Sequence, residues 1–123
     1  MHVYSFEKLE VWVEAKEFAK SIYVLTSGFP DSEKYGLTSQ LRRASVSICS
    51  NIAEGSARQS YKDKAHFTTM AFSSALEVVN QLIISTELGF ISQNDYLELR
   101  VIAGSITNKL NGLKKFQIQQ ITK

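Results

Sequence analysis

One segment of the chain, residues 35–58, predicts a helix that carries polar side chains beside its apolar face. Its apolar residues recur at spacings of three and four, the period of one helix face, and its polar residues follow the same spacing within about 80° of one another. The apolar set is Leu37, Leu41, Ala44, Ile48 and Ile52, and the polar set is Arg43, Ser47, Asn51 and Glu54. Buried polar groups need partners, and their best-attested use is to fix register and partner choice. The segment therefore indicates specific packing and not a reaction centre.

Capping and terminating residues divide the chain into four predicted helices, at about residues 6–26, 35–56, 61–88 and 93–117. The predicted start signals are Ser5, Ser60 with Asp63, and Ser92 with Asp95, and the stop signals are Gly28-Phe29-Pro30, Gly55 and Gly89. Serine before a helix and glycine after it are the residues that satisfy free backbone groups at helix ends. Because the linkers are short, we predict an all-α fold, an up-down-up-down antiparallel four-helix bundle. The chain is expected to form a single domain, residues 1–123.

The fourth predicted helix carries one apolar face, formed by Tyr96, Leu99, Ala103, Ile106, Leu110 and Leu113. The first and third predicted helices each carry two apolar stripes, which is more than one face of an outer bundle helix can bury. Large exposed apolar patches usually mark interfaces, so we expect a homo-oligomer. The residues expected at its subunit contacts are Trp12, Phe18, Phe72, Leu76 and Val79. The alternative is that these residues form a wide stripe that faces the core of their own chain.

Chemistry-bearing residues are sparse. The single cysteine, Cys49, excludes an internal disulfide, and His2 and His66 have no His or Cys partner at ligand spacing. The chain also lacks a glycine-rich phosphate loop and the paired Glu-x-x-His motifs of a di-metal bundle. We therefore expect no enzyme activity, no cofactor and no metal. Without an apolar run near 18 residues or a secretory signal, we expect a cytoplasmic protein without a membrane partner.

The net charge of +2 conceals alternating blocks along the chain. Residues 1–33 carry three Lys against six acids and residues 77–98 carry four acids alone, whereas residues 34–76 carry six Lys or Arg against two acids and residues 99–123 carry five against none. An antiparallel bundle brings the cations of both basic blocks to one end. These cations are Arg58, Lys62, Lys64, Lys109, Lys114, Lys115 and Lys123. In a ring the basic ends would align and could bind a phosphate backbone of RNA or DNA at several points. The alternative is that they only offset helix dipoles.

Several motifs carry a family resemblance: Phe6-Glu-Lys-Leu-Glu-Val-Trp12, the run from Tyr35 to Ala44, Ser47-Ile48, and Asn51-Ile-Ala-Glu-Gly55. The chain resembles the 23S rRNA-intervening-sequence proteins, also called four-helix-bundle or S23 ribosomal proteins, from Phe6 to about Phe116. The resemblance implies a small four-helix bundle that assembles into a ring, a pentamer among relatives. It also implies a relation to the basic accessory protein of diversity-generating retroelements. Where the family usually has Gly-Ser, this chain has Ser73-Ser74 before Glu77.

The leading hypothesis is a non-enzymatic oligomeric scaffold or accessory protein that binds nucleic acid through its basic end. A polar network would set the geometry of assembly, with Glu54 or Glu77 paired to Arg42 or Arg43 across a subunit or helix boundary. The members of this predicted network are Arg42, Arg43, Ser47, Asn51, Glu54 and Glu77. The alternative hypothesis is a protein–protein interaction adaptor that binds neither RNA nor DNA.

Overall fold

The computed structural model describes residues 1–121, which form four α-helices and two short 3-10 turns, with no strand in that range. The helices are α1 (Glu10–Thr26), α2 (Leu37–Ser56), α3 (Tyr61–Glu87) and α4 (Gln93–Ile121). The 3-10 turns are Ser5–Lys8, before α1, and Asp31–Glu33, between α1 and α2. Each helix packs against its neighbours in the chain, and α4 returns to α1. The predicted all-α four-helix bundle is confirmed.

The start of α1 differs from the prediction. Ser5 belongs to the 3-10 turn, and α1 begins at Glu10 after an extended Leu9. The turn is held by the Glu7 carboxylate, which accepts a hydrogen bond from the Tyr4 backbone N–H at 2.8 Å. The prediction that Ser5 caps α1 is therefore wrong, since a separate turn precedes the helix.

The other two predicted caps are confirmed. The Ser60 hydroxyl accepts a hydrogen bond from the Asp63 N–H at 3.1 Å. The Ser92 hydroxyl accepts one from the Asp95 N–H at the same distance of 3.1 Å. Both serines thus satisfy a backbone donor in the first turn of a helix, as expected of N-cap residues. After α3, Gly89 takes a φ of +82°, a left-handed conformation that favours glycine.

Gly55 is not the terminator that the sequence predicted. It lies inside the last turn of α2, where it is buried, and α2 continues to Ser56. A Cβ atom at this position would lie 2.7 Å from the Cβ atom of Phe67 on α3. The physical role of Gly55 is therefore a close approach between α2 and α3.

The core lies among the four helices and is built from the predicted apolar faces of α2 and α4. Leu41, Ile48, Ile106 and Leu110 are each 0% exposed. Phe18 on α1 is 1% exposed and belongs to the same cluster. The prediction of Phe18 as a subunit contact is wrong, because its ring is already enclosed within its own chain.

Among residues 1–121, α3 alone is long and apolar enough to cross a membrane by length and composition. Only 33% of its most apolar 18-residue window is buried in the bundle. It also directs buried polar residues, Ser74, Gln81 and Ser85, into the protein. Much of the apolar surface of α3 therefore faces outward, as its second sequence stripe predicted.

Candidate nucleic-acid interface

One end of the bundle combines the start of α1, the end of α2, the start of α3 and the end of α4. We call it the basic end. Its sequence-predicted cations among the described residues are Arg58, Lys62, Lys64, Lys109, Lys114 and Lys115. Lys123, assigned to the same end from the sequence, lies outside the described residues.

Lys109 is engaged within the chain. Its Nζ lies 2.9 Å from a carboxylate oxygen of Glu10 and 3.2 Å from one of Glu14, both on α1. The hydrogen bond and the charge of Lys109 lower the pKa of the Glu10 carboxyl, and the hydrogen bond to Glu10 raises the pKa of Lys109. Lys109 therefore joins α4 to α1, and its charge is already paired with carboxylates of its own chain.

Two other cations are positioned by neighbouring groups. Lys64 Nζ donates a hydrogen bond to the Ser56 backbone carbonyl at 2.9 Å, which satisfies an acceptor at the end of α2. The Arg58 guanidinium lies 4.3 Å from the centroid of the Phe67 ring. A cation over an aromatic face is attracted by the ring quadrupole, so Arg58 has a defined position at the surface.

Lys62, Lys114 and Lys115 have no carboxylate within ion-pair distance in residues 1–121. Lys62 and Lys115 are exposed and Lys114 is half-buried. Together with Arg58, they place at one end of the bundle four cations that have no ion-pair partner among the described residues. Glu7 and Asp63 also lie near this end and reduce its net charge.

A cleft of about 270 Å³ opens at the basic end between α2, α3, α4 and the segment that precedes α1. Tyr61 and Phe116 lie in its lining, and their ring centroids are 6.1 Å apart with an interplanar angle of 78°. Gln117, which is buried, accepts a hydrogen bond from the Thr68 hydroxyl at 2.8 Å. Neither Phe116 nor Gln117 was predicted at a site, because their helical spacing does not show which α3 residues they face.

Part of the predicted polar network forms between α2 and α3. The Ser47 and Ser74 hydroxyls share a hydrogen bond of 2.9 Å. Asn51 Nδ2 donates to the Ser47 backbone carbonyl at 2.9 Å and to the Ser47 hydroxyl at 3.1 Å. Ser47 therefore contacts α3 through Ser74, the second residue of the Ser73-Ser74 pair, and Asn51 holds Ser47 from one turn further along α2.

The charged members of that network lie elsewhere. Arg42 Nε donates to the Thr26 hydroxyl at 2.9 Å, and its guanidinium lies 4.7 Å from the Tyr23 ring centroid. Arg42 thus joins α2 to the end of α1, and the prediction that it pairs with Glu54 or Glu77 is wrong within this chain.

The remaining charged residues are exposed. Glu77 accepts a hydrogen bond from Gln81 Nε2 at 3.2 Å, and that amide also donates to Gln40 Oε1 at 3.3 Å. Arg43 and Glu54 are exposed and form no ion pair inside residues 1–121. Contacts of Arg43 and Glu54 across a subunit boundary stay a prediction.

The predicted subunit-contact residues are exposed to different degrees. Trp12, Phe72 and Val79 are half-buried and pack against the core, whereas Leu76 is 51% exposed. Trp12 packs edge-on to Phe6 with 4.9 Å between ring centroids. Trp12, Phe72 and Val79 therefore fit the alternative in which a wide apolar stripe faces the core of its own chain. Leu76 belongs to the part of the apolar surface that faces outward.

A second exposed apolar surface lies on α4, for which the sequence pattern predicted a core face alone. Leu97 is 50% and Val101 is 73% exposed, one turn apart on the side opposite the core. A Cβ atom added at Gly104, one turn further, would have nothing within 4 Å. We call Leu76 and Ile83 of α3 with Leu97 and Val101 of α4 the exposed apolar stripes.

Cys49 does not have the properties of a reactive thiol. It is half-buried on α2, and burial raises its pKa to about 11, so that it stays protonated at neutral pH. In the part of the chain that the structure describes, no three His, Cys, Asp or Glu side chains lie close enough to bind a metal ion together.

Comparison with known proteins places this architecture. No curated protein matches the chain. A crystal structure at 1.70 Å of a protein of unknown function from the S23 ribosomal protein family of Bacteroides thetaiotaomicron is similar, with a TM-score of 0.77 and 23% sequence identity. The similarity covers 85% of this chain and 98% of that one and concerns the fold. Residues 7–112 match the family described as 23S rRNA-intervening sequence protein. Since this match spans most of the 123 residues, the chain belongs to the 23S rRNA-intervening sequence protein family.

Proposed function

We propose that this protein is a non-enzymatic, oligomeric four-helix-bundle scaffold that binds the phosphate backbone of RNA or DNA through its basic end. The observation that carries the proposal is the grouping of Arg58, Lys62, Lys114 and Lys115, without ion-pair partners in residues 1–121, at one end of the bundle. Phosphate contacts of this kind are independent of sequence.

The exposed apolar stripes favour an oligomer, and an oligomer would strengthen the binding of phosphate. The exposed apolar stripes leave aliphatic side chains in water, and burial of each Å² of such surface contributes about 25 cal/mol. Acidic neighbours, Glu7 and Asp63, make the basic end of one subunit a weak ligand for phosphate. Several basic ends in one assembly, a ring such as a pentamer, would bind one strand with a much higher avidity.

An electrophoretic mobility shift with RNA and DNA at two salt concentrations tests the proposal. If the three unpaired lysines bind about three phosphates, affinity between about 50 and about 200 mM salt should fall roughly 40-fold for duplex DNA and roughly 20-fold for a single strand, since counterions are released on binding. The Lys114→Glu/Lys115→Glu variant should lose the shift and keep the oligomer.

The matched control is Lys34→Glu/Arg100→Glu, which makes the same change in charge outside the basic end. It should bind like the unmodified protein. An equal loss in both variants would show that total charge, and not the basic end, governs binding. If the unmodified protein shifts neither RNA nor DNA at low salt, the proposal is wrong, and the exposed apolar stripes then favour the protein-interaction adaptor.

A further inference from the structure

The cleft at the basic end has an aromatic rim that is accessible to solvent. Tyr61 begins α3 and Phe116 lies in the last turns of α4, so side chains that are far apart in the sequence meet edge to face. Tyr61 is 39% and Phe116 is 49% exposed. Two large aromatic side chains are thus held together in a position where a flat ligand can stack on one ring and meet the other edge to face.

The interior of the cleft suits a small, flat ligand. Its volume of about 270 Å³ is slightly below the ~300 to 1,000 Å³ that is typical of sites for drug-sized molecules. Its walls are mostly apolar, with Leu9, Ile52 and Leu113 among the lining residues. Gln117 and Thr68 supply polar groups to the same lining. Such a combination of apolar walls and a few polar groups can both stack a ring and orient it by hydrogen bonds.

The charge of the cleft favours a ligand that is attached to phosphate. Lys64 lines the cleft, and the described residues of the lining include no carboxylate. The Lys64 ammonium has three donors, of which the Ser56 carbonyl accepts one. Arg58, Lys62 and Lys115 lie at the same end of the bundle.

We infer that this cleft binds one unpaired base of a single-stranded RNA or DNA, with the base against Tyr61 and Phe116 and its flanking phosphates on the surrounding cations. The inference rests on the proposed function and makes it more specific. Single-strand binding proteins combine a basic surface with aromatic side chains on which bases stack, and such stacking tolerates any sequence. Bases in a duplex are stacked on one another, and extracting one has a cost in free energy, so a single strand is the preferred ligand.

Fluorescence anisotropy with labelled strands of about 12 nucleotides tests the inference, with a duplex of the same length as a second probe. The variants are Tyr61→Leu and Phe116→Leu, which keep an apolar side chain and remove the stacking face. Each should weaken single-strand binding about tenfold and leave duplex binding unchanged. Tyr35→Leu is the matched control, because Tyr35 is 87% exposed beside Lys34, away from the basic end, and should have no effect.

A strand with abasic sites separates stacking from a structural effect. The unmodified protein should bind the abasic strand as weakly as the leucine variants bind the normal strand. The leucine variants should bind the abasic strand and the normal strand with equal affinity. Normal binding by both leucine variants, with binding lost in Lys114→Glu/Lys115→Glu, would overturn the inference and leave the proposed function intact. The inference would also be overturned if the leucine substitutions weakened binding to the normal and abasic strands by the same factor, since the rings would then only support the fold. Absence of any binding by the unmodified protein would overturn the proposed function and this inference with it.

Discussion

The α2–α3 and α1–α4 helix pairs are closed by different means. Between α2 and α3, the absence of a side chain at Gly55 allows Phe67 to approach, and the Ser47 and Ser74 hydroxyls join the helices at 2.9 Å. Small residues and short neutral groups thus bring these two backbones close together. This pair is the closed side of the bundle.

Between α1 and α4, contact depends on longer polar side chains. The Ser105 hydroxyl lies 2.9 and 3.0 Å from the two carboxylate oxygens of Glu14, and Lys109 pairs with Glu10 and Glu14. Two clefts of about 680 and 520 Å³ remain along this open side. Ion pairs near the surface contribute little to stability. We therefore expect the closed side to contribute more of the folding free energy than the open side.

Core truncation should show the largest effect. Ile48→Ala, on α2, removes a side chain that is 0% exposed and should lower the free energy of unfolding by about 2–5 kcal/mol, through lost burial and a residual cavity. Val24→Ala is the control on α1, where the side chain is 75% exposed, and should change it by no more than about 0.5 kcal/mol. Urea denaturation measures both. Similar losses in the two variants would contradict the placement of Ile48 in the core.

Glycine replacement should give effects of opposite sign. Gly55→Ala places a methyl group 2.7 Å from Phe67 Cβ and should destabilise the protein by about 1–3 kcal/mol through overpacking. Gly112→Ala, where nothing lies within 4 Å, should stabilise α4 by up to about 1 kcal/mol because alanine favours the helix. Thermal unfolding of both variants measures the two changes in stability. A stable Gly55→Ala protein would show that the α2–α3 contact can relax.

The ion pair of the open side should give the smallest effect, visible in its dependence on pH. Lys109 lowers the pKa of Glu10 from 4.5, so the contribution of the pair is present above pH 4.5 and is lost as pH falls through the lowered pKa. The raised pKa of Lys109 has the opposite consequence: its contribution is present below the ordinary lysine pKa and is lost as pH rises through the raised one.

Lys109→Met should therefore lower the melting temperature slightly at neutral pH and low salt, and this difference should disappear in acid or at high salt. Lys115→Met, at an exposed lysine without a carboxylate partner in residues 1–121, is the control. A loss in Lys109→Met that is independent of pH and salt would show that its alkyl chain, and not its charge, joins α1 to α4.

The spacing of apolar residues along one helix predicts which side of that helix is buried. The α2 face through Leu41 and Ile48 and the α4 face through Ile106 are in the core as predicted, and the Ser60 and Ser92 caps are where local sequence placed them. These features depend on neighbours within four residues.

The features that were predicted wrongly depend on residues that are distant in sequence. Gly55 looks like a helix terminator until Phe67 is known to face it, and Arg42 contacts Thr26 instead of a carboxylate. The cleft escaped prediction for the same reason, because Phe116 meets Tyr61 through the antiparallel register of α3 and α4. Periodicity contains no information on that register.

The proposed scaffold requires that other copies of this chain cover the exposed apolar stripes. Light scattering at high micromolar concentration tests it directly. We predict a mass several times 13.8 kDa, and a lower mass for Leu76→Asp, which puts a charge on a stripe. A mass of 13.8 kDa for the unmodified protein at that concentration would contradict the claim, and the multivalent scaffold with it.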